Sequence, residues 1–213
     1  MAKPPFKKPM STRRFSMLRS YALADAFTIG NAASGTIAIF LCLNFLAGGG
    51  DRFLWTAFVL VPLGVVFDGF DGWVARRRGR ASALGADMDS LADAVTFGVA
   101  PAVLGYTLGL RGVWDSIVLT FFVVCGISRL ARYNVTADEL ATESGKVRYF
   151  EGTPIPTSVL LVAVLAVAFA RGEVGPALWG GHVHLGPWDL HWLSMMYLVS
   201  GSLMISTLKI PKP

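Results

Sequence analysis

The sequence predicts an all-α integral membrane protein: six transmembrane helices preceded by an N-terminal amphipathic interfacial helix. Three observations lead there. Of 213 residues, 54% are hydrophobic and only 15% charged, with a mean hydropathy of +0.55. Charge-free runs recur at lengths able to cross a bilayer. The basic residues gather on alternate connections between those runs.

Two regions follow, residues 1–24 and 25–213. Residues 1–12 are basic and proline-containing, and read as a disordered arm. From Arg13 to Ala24 basic and apolar residues alternate, and Phe15, Leu18 and Tyr21 can share one helical face. That pattern predicts a helix lying on the cytosolic leaflet. Then come the spans. Ala26–Gly50, Gly152–Ala170 and Leu190–Leu208 hold no Asp, Glu, Lys or Arg, and a span needs roughly 20 apolar residues. Phe53–Phe67, Ala94–Leu110 and Ser116–Ser128 are shorter, but each abuts a charged motif. Extended into those motifs they become Phe53–Arg76, Gly85–Leu110 and Val113–Arg132. Gly48-Gly49-Gly50 reads as a turn after the first span. That span is too long for a signal-peptide core.

With the N-terminus inside, sixteen of the nineteen Lys and Arg residues fall on the cytosolic side, leaving Arg52, Arg111 and Arg171 outside. The bias predicts a cell-membrane protein with both termini in the cytosol. The net charge of +5 then reads as orientation and attraction to anionic lipid, not nucleic-acid binding. Cys42 and Cys125 fall inside spans and read as small buried apolar residues.

The chemistry concentrates in two stretches: Phe67-Asp68-Gly69-Phe70-Asp71-Gly72-Trp73-Val74-Ala75-Arg76, then Gly85-Ala86-Asp87-Met88-Asp89-Ser90-Leu91-Ala92-Asp93. Asp68 and Asp71 are at i, i+3, and Asp89 and Asp93 at i, i+4, so each pair shares a helical face. Two such faces opposed would put four carboxylates around one small volume. They repel unless a cation sits between them, and an all-oxygen donor set suits Mg²⁺, Mn²⁺ or Ca²⁺ better than zinc. Solvated surface acids would explain the carboxylates but not Gly72, Ala75, Arg76 and Gly85 beside them. Carboxylates running into apolar segments are costly and signal function. Asp87 points to another face and serves as an internal control.

The pattern D-x-x-D-G-x-x-A-R, eight residues, G-x-x-x-D-x-x-x-D resembles the signature of the CDP-alcohol phosphotransferase family. Every fixed position is filled, by Asp68, Asp71, Gly72, Ala75, Arg76, Gly85, Asp89 and Asp93. The resemblance implies transfer of a phosphatidyl group from a CDP-linked lipid to an alcohol, releasing CMP. It implies that Asp68, Asp71, Asp89 and Asp93 hold Mg²⁺ or Mn²⁺, two ions in all, with Asp93 the catalytic base. Gly72, Ala75, Arg76 and Gly85 are then CDP-lipid contacts, and the enzyme is a homodimer. Thr28 and Asn31, one turn apart at the start of the first span, face a neighbouring helix or a ligand; the resemblance favours the CDP-lipid. The strings Arg129-Leu130-Ala131-Arg132-Tyr133-Asn134 and Phe150-Glu151-Gly152-Thr153-Pro154-Ile155-Pro156-Thr157 look like the phosphatidylserine synthase branch. CDP-diacylglycerol and L-serine are the substrates that branch implies. Arg129, Arg132 and Asn134 are candidate serine contacts, since an arginine pair suits a carboxylate; positive-inside anchoring is the alternative role. Within the family, a phosphatidylinositol-phosphate or phosphatidylglycerol-phosphate synthase competes. Outside it, a cation-coupled transporter and a non-catalytic membrane scaffold compete.

His182 and His184 stand two apart in a Gly/Trp-rich loop, with Asp189 and His191 beyond. These are metal-binding residue types, yet they fall opposite the aspartates, and the sequence assigns them no role. Trp188, Trp192 and Tyr197 read as interfacial or packing aromatics.

Overall fold

The computed structural model describes residues 23–78, 83–142, 149–206 and 209–211. The expected amphipathic helix over 13–24 lies almost wholly outside the described residues. Helices α1 (Leu23–Leu46) and α2 (Arg52–Arg78) form an antiparallel pair joined by the glycine turn, where Gly48 adopts φ +91°. Then α3 (Ala83–Asp93), a π-helical segment (Ala94–Val99) and α4 (Ala100–Leu108) run on as one rod. After it come α5 (Val113–Thr142), α6 (Val159–Ala170) and α7 (Met195–Met204).

Among the described residues four helices are long and apolar enough to cross a membrane: Ala26–Leu46, Arg52–Val74, Gly85–Leu108 and Val113–Val135. Their bounds follow the sequence expectation closely, and the protein is membrane-embedded. The third is the central rod, with 67% of its apolar window buried against 28–39% for the others. Phe97, Leu104 and Leu108 fill the interior from it. Large apolar side chains such as Phe40, Val59, Val124 and Leu160 face outward, as a lipid-facing surface requires.

The last two expected spans are shorter than the sequence suggests. The apolar helices there are Ile155–Ala170 and Trp192–Met204. Pro154 and Pro156 lack an N–H, so the chain enters through a 3₁₀ turn (Ile155–Ser158) before α6 can begin. Likewise residues 190–194 end a strand and form a 3₁₀ turn, leaving ten residues for α7. Tyr197 secures α7 to the rod. Its hydroxyl donates to the Pro101 carbonyl at 2.6 Å, and its ring meets Phe122 edge-on, centroids 5.2 Å apart.

Two small antiparallel ribbons depart from the all-α expectation. Strand β1 (Tyr149–Glu151) pairs with β4 (Lys209–Pro211). Strands β2 (His182–Leu185) and β3 (Trp188–His191) form a hairpin in the loop between α6 and α7. Its two-residue turn is Gly186-Pro187. Gly186 has φ +69°, and proline fixes the next φ, the combination a primed hairpin turn needs.

Candidate active site

Helix α2 delivers Asp68 and Asp71, and α3 delivers Asp89 and Asp93. Packed together, they bring carboxylate oxygens of Asp68, Asp89 and Asp93 within 4.8 Å of one another. Asp93 is buried, Asp68 and Asp89 half-buried. One oxygen of Asp89, Oδ1, is buried with no hydrogen-bond partner among the described residues. Three converging carboxylates with an orphaned oxygen fit a hard divalent cation. Asp71 does not belong to that triad. It is buried, and its Oδ2 accepts a hydrogen bond from the Thr28 hydroxyl.

Helix α1 supports both acidic helices. Thr28 reaches Asp71, and one turn on, Asn31 Nδ2 donates to Asp93 Oδ1 at 2.9 Å. The Asn31 carbonyl accepts in turn from Thr96 Oγ1 at 2.8 Å, which ties α1 to the π segment that follows Asp93. Two glycines permit this approach. A Cβ on Gly35 would lie 2.6 Å from Thr96 Cα. One on Gly64 would lie 2.5 Å from Thr96 Cγ2 and 2.8 Å from Asn31 Oδ1. Small residues at helix crossings let polar side chains bond between membrane helices. Thr28 and Asn31 therefore make interhelical hydrogen bonds, and their partners are motif aspartates.

Beside the triad opens a cavity of about 190 Å³. Asp89, Ser90 and Asp93 line one wall, Arg129, Tyr133 and Asn134 another. Arg129 Nε is buried there with no hydrogen-bond partner among the described residues. Asn134 and Ser90 bond each other across the cavity, Asn134 Nδ2 donating to Ser90 Oγ at 3.0 Å. Arg132 is exposed and does not line the cavity. At about 100° per residue, Arg132 lies about 60° to one side of Arg129 and Tyr133 about 40° to the other, and the cavity is on the Tyr133 side. The arginine pair of the sequence reading is thus divided, with Arg129 inside and Arg132 outside. Pro154 closes the cavity and also lines an open apolar groove with Pro62, Val65, Val66 and Leu160.

Gly72 lies on α2 and Gly85 on α3, both half-buried near the carboxylates in sequence. Ala75 and Arg76 continue α2, and their side chains fall outside the described residues. Asp87 is exposed, on a different face from Asp89 and Asp93.

Residues 21–202 match the family model described as CDP-alcohol phosphatidyltransferase. The chain belongs to the CDP-alcohol phosphatidyltransferase family. Within this family it is similar to the CDP-diacylglycerol–serine O-phosphatidyltransferase of Saccharomyces cerevisiae, 41% identical over 203 residues, which is 93% of this chain and 74% of the relative. It is also similar to the archaetidylserine synthase of Methanothermobacter thermautotrophicus, 38% identical over 159 residues, 73% of this chain and 62% of the relative. The CDP-diacylglycerol–serine O-phosphatidyltransferase of Methanocaldococcus jannaschii is 31% identical over 198 residues, 93% of this chain and 78% of the relative. Enzymes of the CDP-alcohol phosphatidyltransferase family are generally dependent on divalent metal, and the carboxylate triad could bind one.

Sequence reasoning did not single out Ser90, Tyr133, Thr96, Gly35 or Gly64. Ser90 and Tyr133 each lie within strings already marked, one residue from a named position. Thr96 and the two glycines look like ordinary small residues of apolar spans, and only the helix crossing reveals them.

Proposed function

We propose that this CDP-alcohol phosphatidyltransferase transfers the phosphatidyl group of CDP-diacylglycerol to the hydroxyl of L-serine, giving phosphatidylserine and CMP. The observation that carries the reading is one cavity beside the carboxylate triad, with Asp89 and Asp93 on one wall and, on the other, Arg129, whose buried Nε has no hydrogen-bond partner among the described residues. The relatives' names support serine as the acceptor.

Asp68, Asp71 and Asp89 would hold Mg²⁺ or Mn²⁺, two ions in our reading. When bound, the metal neutralises the diphosphate and supports in-line displacement. Asp93 completes the acidic cluster and acts as the base. Asn31 occupies its Oδ1, which leaves Oδ2 to take the proton of the serine hydroxyl. The serine oxygen bonds to the phosphorus that carries the diacylglycerol. The bond from that phosphorus to the CMP oxygen breaks, and CMP leaves with the electron pair. Arg129 pairs with the serine carboxylate in a charge-assisted bond. Asn134 assists from the cavity wall, and Arg132 contributes charge from outside it. Thr28 and Asn31, with Gly72, Ala75, Arg76 and Gly85, form the side that receives the CDP-lipid. The apolar groove beyond Pro154 suits an acyl chain.

In the membrane we place six spans, the two shorter helices included, with the site facing the cytosol in a cell membrane and the basic segment over 1–24 on the same leaflet. The assembly we propose is a homodimer. The test is CMP release from CDP-diacylglycerol by purified protein, comparing L-serine, glycerol 3-phosphate and inositol phosphate with Mg²⁺, Mn²⁺ or EDTA. Serine should dominate and EDTA should stop release. A preference for either phosphorylated alcohol overturns the acceptor. Absence of CMP with every acceptor, alongside cation flux in liposomes, overturns the enzyme.

A further inference from the structure

The chain has three histidines, and all lie on the β2–β3 hairpin. Its register sets His182 opposite His191 and His184 opposite Asp189. Residues i and i+2 of a strand project from the same face, and directly paired residues share a face across the ribbon. The four side chains therefore gather on one side. The His182 and His184 ring centroids are 5.1 Å apart, and those of His182 and His191 are 5.5 Å apart. His184 Nδ1 lies 2.5 Å from Asp189 Oδ1. Ligand atoms from His182, His184 and Asp189 all fall within 4.8 Å of one another.

The platform beneath them is fixed. Asp115, wholly buried at the start of α5, accepts from the His191 backbone N–H at 2.8 Å and meets His191 Nδ1 at 2.6 Å. It also accepts from the Gly112 N–H at 3.0 Å. Nearby, Trp114 Nε1 donates to the Leu185 carbonyl at 3.1 Å, and Trp114 meets Trp188 ring to ring. The hairpin is thus held at both ends against α5, with His191 buried, His182 and His184 exposed to solvent and Asp189 half-buried.

We propose that this hairpin face is a second metal site, which takes one borderline divalent transition ion of the Zn²⁺ class through His182, His184 and Asp189. Two imidazoles and one carboxylate are the donors such an ion selects, whereas Mg²⁺ favours oxygen alone. His191, committed to Asp115, is the brace. The site is separate from the carboxylate triad. Asp115 and Arg129 stand fourteen residues apart on α5, about 21 Å along its axis. The side chains of His184 and Asp189 are 73% and 44% exposed, so water or an outside ligand completes the coordination and the ion can exchange. A His184–Asp189 ion pair alone would leave His182 unexplained. The inference stands whether or not serine is the acceptor.

The test uses full-length protein without a polyhistidine tag, in detergent, with excess Mg²⁺ to occupy the triad. Zn²⁺ is titrated by equilibrium dialysis at neutral pH, and bound zinc is counted per chain. We expect one zinc per chain. His182→Ala and His184→Ala should each weaken binding at least tenfold. Both residues are exposed, so their melting temperatures should match the parent. Asp68→Asn with Asp89→Asn should leave the stoichiometry unchanged. No zinc bound at 100-fold excess over protein, equal binding by the double histidine variant, or loss of zinc with the triad instead would each overturn the site.

Discussion

A methyl group added at Gly35 or Gly64 tests how the site is held together. Carbon atoms in contact settle about 3.5–4.0 Å apart. At Gly35 an added Cβ would stand 2.5 Å from Thr96 Oγ1 and 2.6 Å from Thr96 Cα. The hydroxyl can rotate away, but the backbone carbon cannot, so α1 and the π segment must separate by about 1 Å. At Gly64 the clashing atoms are Thr96 Cγ2 and Asn31 Oδ1, both on side chains. Overpacking costs about 1–3 kcal/mol, and replacing a glycine inside a helix returns about 0.5–1 kcal/mol. Gly35→Ala should therefore lose about 2 kcal/mol and Gly64→Ala about 1 kcal/mol. Thr96→Ser removes Cγ2 and keeps the hydroxyl that bonds Asn31. It should rescue Gly64→Ala and leave Gly35→Ala impaired. The measurement is a double-mutant cycle on melting in detergent, with CMP release alongside. Asn31 holds Asp93, so a misplacement worth 1.4 kcal/mol in the transition state appears as a tenfold lower kcat. If Gly35→Ala melts and turns over like the parent, or if Thr96→Ser rescues both variants equally, the crossing does not position the site.

Asp93→Asn should abolish turnover while CDP-diacylglycerol still binds, whereas Asp68→Asn or Asp89→Asn should also lose metal-dependent binding of that lipid in an equilibrium assay. Asp87→Asn, at an exposed position, should be near wild type in the same assays. EDTA should halt CMP release and Mg²⁺ or Mn²⁺ restore it, with Ca²⁺ a poor substitute because its larger coordination sphere holds ligands loosely; full activity in chelator would remove the metal from the mechanism. Arg129→Lys keeps charge but loses the planar fork, so the serine KM should rise by roughly one to two decades, the equivalent of about 1.5–3 kcal/mol, while the KM for CDP-diacylglycerol moves little. Arg132→Lys, on the exposed side, should change the serine KM far less.

The aspartate motif and the four long helices were legible because both are local signals. Apolar length is read along the chain, and the i, i+3 and i, i+4 spacings define helical faces without knowledge of any neighbour. What escaped at the site was nonlocal. Thr28 with Asp71 and Asn31 with Asp93 join positions 43 and 62 residues apart. The sequence marked Thr28 and Asn31 as polar residues needing partners but could not choose between a helix and a ligand. Arg129 and Arg132 share a broad face on any helical wheel, and only the position of α3 decides which arginine enters the cavity. The hairpin was missed because four-residue strands around Gly186-Pro187 look like loop. The last two helices are shorter than their apolar runs because hydropathy registers neither the missing N–H groups of Pro154 and Pro156 before α6 nor the strand end and 3₁₀ turn before α7.

The π segment after Asp93 makes the aim of the carboxylates a matter of counting. It spans only Ala94–Val99, and π turns are commonly single-turn features at functional sites. Winding the same residues as continuous α-helix, with i→i+4 bonds in place of i→i+5, would leave no wide turn to absorb the extra residue. The half before the segment would then turn by about 100° against the half after it. Every aspartate would survive, and the span would remain as apolar as before. Yet Asp89 and Asp93 would rotate out of phase with α2, like a key cut correctly and inserted a quarter-turn off. For this chain the winding of Ala94–Val99 matters as much as the identity of its residues.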